Sequence, residues 1–346
     1  MATYTRETEG LTLVHKFADQ VKGRTCKSNL CSPTRNSPEY LQPLVLLTGP
    51  TPGGIGAETL LSLAAESPAL LILVGRSQTK AQATIDAIKK VNASVKTKFV
   101  EADLASLRSV RAAAQAILAD AEIARIDVVV NNAAVMATPF RLTEDGLELQ
   151  LHANHLGHFV LTNTIAPKIR AAGPGARVVN VSSSGHRLSG VRFEDPNWAR
   201  PGSYSEMDAY GQSKTANVLF ATALNRRGVR AYALHPGGIM TNLQDHVKAM
   251  PADKAAALFE EASQRAMGRP IEEQRKVDPW KTLQQGCGTT IRAALDPDLV
   301  KEEGVYLVDT NLTTDPQHVK EWATDPELAE KLWKLSEELV GQKFDI

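Results

Sequence analysis

A tyrosine and a lysine four residues apart, Tyr210 and Lys214 in the segment YGQSK, are the clearest candidates for acid–base chemistry in this chain. Residues with this spacing lie on one face of an α-helix, so the two side chains would be neighbours. A nearby ammonium group lowers the pKa of a phenol and favours the tyrosinate. Many solvated helix faces carry the same pattern. Here it follows a strand pattern that ends in three serines, Ser182 to Ser184, which indicates a site.

A second chemical signature is the stretch TGPTPGGIGAE, which begins at Thr48 between the apolar run LVLL and the helical pattern TLLSLAAE. A glycine-rich turn between a strand and a helix binds the diphosphate of a dinucleotide, because backbone amides at the helix start face the phosphates. The glycines at positions 49, 53, 54 and 56 fit no simple three-glycine template. The spacing alone leaves open a phosphate cradle or a loop rich in Gly and Pro.

The residues after the second apolar run bear on the choice of nicotinamide cofactor. An acidic residue at this point would bind the ribose 2′-hydroxyl of NAD. The chain instead has Gly75, Arg76 and Ser77 after LLILV. An arginine can bind a 2′-phosphate and stack on adenine, so the sequence favours NADP(H).

Strand and helix patterns alternate from about residue 44 onward and must position these groups. Apolar runs predict seven strands, within LVLL, LLILVG (70–75), KFVEADL (98–104), IDVVVNNAA (126–134), ARVVNVSSS (176–184), VRAYALHPGG (229–238) and GVYLV (304–308). Strands this apolar are buried on both faces, as in a parallel sheet. We therefore predict an α/β fold, a doubly wound parallel sheet of Rossmann type, in a single domain with substrate-loop insertions.

Residues 1–43, 185–206 and 242–285 interrupt this alternation. Ligands of open α/β sheets bind beyond the carboxyl ends of the strands, and the last two stretches follow strands. We expect them to shape a substrate pocket, with Trp198, Met240 and Phe259 as candidate lining residues that could equally be core.

With these residues in view, the chain resembles the short-chain dehydrogenase/reductase family, in the branch of retinol-dehydrogenase-like and WW-domain-oxidoreductase-like enzymes and their fungal relatives. The motifs TGxxx(x)GIG, ADL, NNAA, NHLGHF, VNVSS, YxxxK and HPGGIxT follow the family's order over roughly residues 44–240. The segment WATDPELAEKLWKLSEELVG matches more loosely. The resemblance implies an N-terminal extension, 1–43, and a catalytic domain, 44–346. That domain would comprise a Rossmann core (44–240), a substrate-loop region (241–285) and a C-terminal strand and helix (286–346).

The resemblance implies a catalytic set of Asn154, Ser183, Tyr210 and Lys214. Tyr210 would be the general acid in carbonyl reduction and the general base in alcohol oxidation. Ser183 would bind the substrate oxygen, although its serine neighbours leave that choice open by one position. Lys214 would hold the nicotinamide ribose, and Asn154 would hold a water that links Lys214 to solvent.

The resemblance also implies a cofactor-binding set: Thr48, Gly49, Gly54, Ile55, Gly56, Arg76, Asp103, Asn132, Tyr210, Lys214, Ile239 and Thr241. The family's cradle, TGxxxGxG, is matched at both ends with one extra residue between them. The glycine-rich stretch is therefore interpreted as an expanded cradle, in which Gly53 and Gly54 compete for one position.

Together these features predict an NADP(H)-dependent oxidoreductase that interconverts a ketone or aldehyde and an alcohol on a small, apolar-bodied substrate. One alternative is an NADP-dependent dehydrogenase of a retinoid-like or steroid-like alcohol. Another is a non-catalytic NADP-binding regulatory protein, which the intact tyrosine and lysine disfavour. The resemblance suggests a homodimer or homotetramer built on the long helices, and a monomer stays open.

Composition and charge weigh against several other classes of protein. The chain carries 39 basic and 39 acidic residues, which argues against nucleic acid as a partner. No apolar run approaches the roughly 18–20 residues of a membrane span, and the N-terminus lacks an apolar signal core, so we expect a cytoplasmic protein. His152, His155 and His158 are spaced by three without a carboxylate or Cys between them, so no metal is expected.

An unusual polar segment, residues 26–44, stands between the N-terminal text KGRT (22–25) and the first strand. In the family that this chain resembles, a sequence similar to KGRT leads directly into the first strand. We interpret the segment as a recent surface insertion or a retained intron. Cys26 and Cys31 have no second Cys or His pair nearby, which favours free thiols over zinc.

Overall fold

The computed structural model describes residues 4–22 and 42–346 of the 346-residue chain. Apart from its last three residues, the insert at 26–44 lies outside the described residues, as do Cys26 and Cys31. The nature of this insert therefore stays a prediction.

An eight-stranded sheet forms the centre of the described chain, in the order β3-β2-β1-β4-β5-β6-β7-β8. Its strands are β1 (Leu44–Thr48), β2 (Leu70–Gly75), β3 (Lys96–Glu101), β4 (Val128–Asn131), β5 (Arg177–Val181), β6 (Ala231–His235), β7 (Tyr306–Val308) and β8 (Asn311–Thr313). The first seven pair in parallel, and β8 returns antiparallel along β7. The reversal of strand order beside β1 confirms the predicted doubly wound fold.

Both faces of the sheet are covered by helices, which explains why its central strands are apolar throughout. Along β1, Leu44 and Leu46 belong to one hydrophobic cluster, and Val45 and Leu47 belong to another on the opposite face. This alternation follows from the two-residue period of a strand. The strand is therefore fully buried, as parallel strands usually are.

The longer helices are α3 (Ile55–Ala64), α4 (Gln78–Val91), α5 (Leu107–Ala119), α7 (Gly157–Thr164), α9 (Glu206–Arg226), α11 (Ala252–Met267), α13 (Leu283–Leu295) and α15 (Pro326–Val340). Shorter ones are α1 (Gly10–Lys16), α2 (Ala18–Val21), α6 (Leu149–Leu151), α8 (Ala166–Ala171), α10 (Asp245–Lys248), α12 (Ile271–Val277) and α14 (Glu321–Thr324). Helix α1 packs against α3 and α13. Helices α10 to α12 fall in the predicted substrate-loop region.

Helix α9 carries the tyrosine–lysine pair and is buried on every side from Ala209 to Ala221. The C-terminal helix α15 packs along it. The Trp333 ring of α15 lies 4.9 Å from Phe159 of α7 and 6.1 Å from Phe220 of α9, measured between centroids. The faces of α7 and α9 that contact α15 are therefore covered by this chain's own C-terminal helix. They are not available as the surface of the expected dimer or tetramer.

Candidate active site

A cavity of about 750 Å³ runs along the carboxyl ends of β1, β2, β4, β5 and β6. It joins the glycine-rich turn, the tyrosine–lysine pair and the helices α10 to α12 in one space. Of the predicted site residues, it is lined by Gly49, Gly54, Ile55, Gly56, Arg76, Asp103, Asn132, Ser183, Tyr210, Lys214, Ile239 and Thr241. Thr48 and Asn154 lie behind this lining.

Two glycines of the turn are places where no side chain fits. A Cβ on Gly56 would lie 2.5 Å from the Gly49 oxygen and 2.6 Å from Asn132 Nδ2. Gly49 has φ +74°, and a Cβ there would lie 2.9 Å from the Ala133 Cα atom. Both glycines therefore let the turn pack closely against the residues after β4, while Gly54 and Ile55 line the cavity at the start of α3, where helix amides favour a phosphate. These residues fit a dinucleotide diphosphate.

The extra residue of the turn is accommodated in a separate β-turn. The Gly54 amide donates to the Thr51 carbonyl at 3.1 Å, Pro52 takes the second position, and Gly53 has φ +73°. Proline followed by a glycine of positive φ is the signature of a type II turn. Gly54 then caps helix α3. The two glycines differ in their structural roles: Gly53 shapes the turn, and Gly54 is the N-cap residue that precedes helix α3.

Thr48 supports the cradle from below. It is fully buried, and its Oγ1 accepts from the Asn132 and Ala133 amides, each at 3.0 Å, and pairs with His158 Nε2 at 2.8 Å. Asn132 Nδ2 donates back to the Thr48 carbonyl at 2.8 Å. Thr48 therefore holds β1 against β4, and the prediction of direct cofactor contact fits Asn132 better than Thr48.

The far end of the cavity, near β2 and α4, is basic. Arg76 is exposed there, and Lys80, one helical turn into α4, lines the same space. Ser77 caps α4 by accepting from the Lys80 amide at 3.3 Å. Asp103 uses Oδ1 to accept from the Ala105 amide at 3.0 Å. Sequence reasoning missed Lys80, although its four-residue spacing from Arg76 at a helix start was a usable signal.

The three serines after β5 have different surroundings. Ser182 is buried, and its hydroxyl donates to the Lys214 main-chain oxygen at 2.7 Å, which ties β5 to α9. Ser183 lines the cavity, accepts from the Gly185 amide at 3.0 Å, and approaches the Tyr210 hydroxyl closely enough to lower its pKa. The geometry thus favours Ser183 over Ser182 as the group that meets a substrate.

The pKa values of the tyrosine–lysine pair are set by burial. Burial raises the pKa of Tyr210 to about 12, against the lowering effect of Ser183, and lowers the pKa of Lys214 to about 7. The Lys214 Nζ lies 5.6 Å from the centre of the tyrosine ring and donates to the Val181 oxygen at 3.0 Å. The expectation that the lysine lowers the pKa of the tyrosine is wrong for this state, because desolvation outweighs the distant cation.

Asn154 lies in one turn of π-helix, His152–Leu156, between α6 and α7. Such turns often occur at functional sites. Its Oδ1 accepts from the Val135 amide at 2.8 Å, and its Nδ2 donates to the Val135 oxygen and to Ser213 Oγ, each at 2.9 Å. The side chain fixes the loop after β4 against α9, so a water that reached Lys214 would have to use other atoms.

The substrate end of the cavity is mostly apolar. It is lined by Met136, Leu188, Met207, Leu243, Phe259 and Met267. Of the three candidate lining residues, Phe259 lines this end of the cavity, whereas Trp198 and Met240 do not. Trp198 is buried beneath Arg192, whose guanidinium carbon lies 4.1 Å from the ring, and Met240 is 55% exposed. Burial inside a loop is not readable from residue type, which is why the sequence left lining and core roles open for these residues.

His235 is a polar group at this end that was not predicted, whereas Thr241 was predicted. His235 lines the cavity at the end of β6, and no hydrogen-bond partner for its buried Nδ1 exists among the described residues. Thr241 caps a short 3₁₀ turn through a reciprocal capping box with Gln244. Within the described ranges, no cluster of three His, Cys, Asp or Glu residues could hold a metal.

The fold and this arrangement define a nicotinamide-dependent oxidoreductase of the short-chain type. A sequence profile of the family described as short chain dehydrogenase matches residues 43–194. Together with the relatives below, this match shows that the chain belongs to the short-chain dehydrogenase/reductase family, in its retinol-dehydrogenase-like branch.

Two curated relatives span nearly the whole chain. The short-chain dehydrogenase TIC 32 A, chloroplastic, of Brassica napus is 35% identical over 309 residues, or 85% of this chain and 88% of its own. Human retinol dehydrogenase 12 is 31% identical over 328 residues, or 93% of this chain and 92% of its own. The family resemblance expected from the motifs is confirmed.

Solved structures agree on the fold. An uncharacterised protein from Mycobacterium paratuberculosis matches with a TM-score of 0.62 and 30% identity, over 89% of this chain and 96% of that one. A carbonyl reductase from chicken fatty liver, solved with NADPH, matches with a TM-score of 0.52 over 78% and 97% of the two chains. At 18% identity, this second match indicates a shared fold alone. Among residues 4–22 and 42–346, no helix is both long and apolar enough to cross a membrane.

Proposed function

We propose that this protein is an NADP(H)-dependent oxidoreductase that interconverts a carbonyl group and an alcohol. The observation that carries the proposal is the buried pair Tyr210 and Lys214 beside Ser183, in one cavity with a glycine cradle. A bound nicotinamide would supply or accept the hydride. The chain's own groups would bind the substrate oxygen and move a proton to or from it.

Each catalytic residue takes a role that its surroundings support. The Tyr210 hydroxyl, which its raised pKa keeps protonated at physiological pH, donates its proton to a carbonyl oxygen during reduction, and its tyrosinate form accepts a proton from the alcohol during oxidation. Ser183 donates a hydrogen bond to the same oxygen. Lys214, with a pKa of about 7, can exchange a proton near neutrality and has donors free for the nicotinamide ribose. Asn154 positions the loop at Val135 beside them.

The preference for NADP(H) rests on charge at the adenosine end. Arg76 and Lys80 line the cavity there, and the first residue after β2 is a cation rather than an acid. A 2′-phosphate would gain two cationic contacts, whereas the unmodified ribose of NAD would find no carboxylate at that position. The Arg76→Asp variant is expected to bind NADPH at least about ten-fold more weakly and to improve its relative binding of NADH.

The substrate is proposed to have an apolar body, because Met, Leu and Phe side chains dominate that end of the cavity. A retinoid-like or steroid-like alcohol is a second candidate, favoured by this lining and by relatives that carry the name retinol dehydrogenase. A panel of aliphatic ketones, retinal and a ketosteroid, assayed with NADPH, would separate the two candidates by their kcat/KM.

The experiment that tests the assigned chemistry compares Tyr210→Phe with Tyr232→Phe. Tyr232 is a buried tyrosine of β6 outside the cavity, so its variant controls for loss of a buried hydroxyl. Turnover should fall by about 10²-fold or more in Tyr210→Phe alone, while NADPH binding persists in both. Undiminished turnover of Tyr210→Phe would refute the acid–base role. NADPH binding without any turnover in the unmodified chain would favour the non-catalytic alternative.

A further inference from the structure

Helix α12 and the residues after it form the outer wall of the cavity opposite the end of β6. Arg275, Asp278 and Trp280 all line this wall. The Arg275 guanidinium carbon lies 3.6 Å from the centre of the Trp280 ring, which holds the cation flat against the indole. Arg275 Nη1 lies 2.6 Å from where a Cβ on Gly238 would be. The guanidinium therefore lies directly against glycine backbone that has no side chain to displace it.

No acidic side chain of the described residues forms an ion pair with the Arg275 guanidinium. Across residues 4–22 and 42–346, Arg275 has neither a carboxylate within 4 Å nor a hydrogen-bond partner. Its neighbour Asp278 is instead paired with Arg6 of the N-terminal segment at 3.0 Å. Arg6 also donates to the Pro279 oxygen at 2.8 Å, which ties the wall to the body of the protein. Arg275 is partly buried, and this burial lowers its pKa. Asp278 acts on this guanidinium only without direct contact, so a bound anion would further offset the cost of its burial.

The position of Arg275 along the cavity indicates which anion that is. Gly238 precedes Ile239, and a Cβ on Gly286 would lie 2.9 Å from the Ile239 Cδ1 atom and 3.8 Å from the Ile55 Cγ1 atom. Ile55 is the first residue of α3, the helix whose amides face the cradle. Arg275 and Ile55 therefore line the same cavity from different elements, with Gly238, Ile239 and Gly286 between them.

We propose that Arg275 binds the diphosphate of the dinucleotide, across the cavity from the start of α3. The inference rests on the proposed function, since it assigns a residue to the cofactor of that reaction. Helix amides would contact one side of the anion, and the planar guanidinium would contact the other with charge-assisted hydrogen bonds. Substrate-loop and cofactor binding are then coupled, because the same wall encloses the substrate end through Ile271 and Met267.

The test measures ligand binding by the full chain and its Arg275→Met variant. The probes are NADPH, 2′-phospho-ADP-ribose, which keeps the diphosphate without the nicotinamide, and adenosine 2′-monophosphate, which lacks the diphosphate. Arg275→Met should weaken the first two by about ten-fold and leave the third within about two-fold. Arg275→Lys keeps the charge and loses the planar fork. Its affinity for the first two probes should lie between those of the unmodified chain and Arg275→Met.

A matched control is Lys276→Met, which removes a positive charge from the same helix at an exposed position. Its affinity for all three probes should stay within about two-fold of the unmodified chain. Melting temperatures of the variants verify that each is folded. If Lys276→Met weakened probe binding as much as Arg275→Met, the loss would come from the net charge of the helix. That result would overturn the assignment of Arg275.

Two further outcomes would also overturn it, in distinguishable ways. Unchanged dinucleotide binding by Arg275→Met, with a raised KM only for substrates that bear a carboxylate, would mean that the anion belongs to the substrate. Failure of the unmodified chain to bind NADPH or 2′-phospho-ADP-ribose would refute the proposed function itself. In that case the inference about Arg275 falls with it.

Discussion

Lys214 is the residue at which folding stability and the proposed function conflict most directly. It is fully buried, its one hydrogen bond goes to the Val181 oxygen, and no carboxylate of the described chain balances it. A buried ammonium costs folding free energy, yet the ribose of a cofactor needs such a donor. The proposed function explains why an unfavourable charge is retained.

We expect the Lys214→Met variant to be more stable near neutral pH and inactive. The folded pKa of about 7 lies below the ordinary 10.5, so the native state binds fewer protons between these values and stability rises with pH across that window. The penalty is complete below about pH 7, where the difference between the two pKa values gives Lys214→Met a gain of up to about 5 kcal/mol.

Urea unfolding at about pH 6.5 and about pH 9.5 measures this prediction, with the exposed Lys334→Met variant as a charge-matched control. The gain should shrink at the higher pH. A loss of stability in Lys214→Met at both pH values would show that the lysine is not a source of strain.

The chemistry of individual residues was predictable from the sequence, but their environments were not. Tyr210, Lys214 and the serine pattern were proposed as a site from their spacing and order together with the family resemblance, and the structure brings them to one cavity. The direction of the tyrosine pKa was wrong, because burial depends on distant elements. Arg275 carried no signal at all, since a lone arginine in a polar helix resembles any solvated residue.

At the scale of elements, the expanded cradle uses different residues for two roles. One set makes the chain turn, and the other lets segments of backbone approach closely. The turn from Thr51 to Gly54 absorbs the extra residue, while Gly49 and Gly56 keep the close backbone approach. The cradle is therefore expected to bind a diphosphate despite its unusual spacing.

Substitution of each glycine by alanine should show this separation. Gly56→Ala places a Cβ 2.5 Å from the Gly49 oxygen, so backbone must move and NADPH binding should be lost. Gly53→Ala meets no atom within 4 Å, and only its φ of +73° is unfavourable, at about 1 kcal/mol. NADPH titration and urea unfolding of both variants measure the contrast. Equal loss of binding in Gly53→Ala would mean that the turn itself contacts the cofactor.

The seven predicted strands are all present, and most are apolar runs buried on both faces, whereas β3 at the edge of the sheet is partly exposed. The eighth strand, Asn311–Thr313, was missed because its three partly exposed residues, NLT, carry no periodic pattern. The helical segment from α6 to α7 is interrupted by the π-turn that orients Asn154. Hydrogen bonds from its side chain to the loop after β4 stabilise that turn, and such tertiary contacts leave no local sequence signal.

At the scale of the whole molecule, the C-terminal helix decides which surfaces are free. Trp333 packs between Phe159 and Phe220, and Ser336 Oγ bonds His155 Nε2 at 2.8 Å. The faces of α7 and α9 that contact α15 are thus not available to a partner copy. The predicted order of motifs gave no hint of this cover, because it depends on where the last helix folds back.

We therefore expect the protein to be a monomer in solution. Sedimentation equilibrium at micromolar concentration should return the mass of one chain. Trp333→Ala should destabilise the fold by about 3 kcal/mol, because it leaves a cavity against α7 and α9, and should promote association through the opened face. A stable dimer of the unmodified chain would show that a different surface mediates assembly.

The most direct test of the central claim is a fluorescence titration of the full chain with NADPH and with NADH. The cradle, the basic adenosine end and the buried tyrosine–lysine pair together predict saturable binding, with NADPH bound more tightly than NADH by about ten-fold or more. Binding of neither dinucleotide would contradict the account, because the expanded cradle would then not be a cofactor site. Preferential binding of NADH would contradict the role given to Arg76 and Lys80.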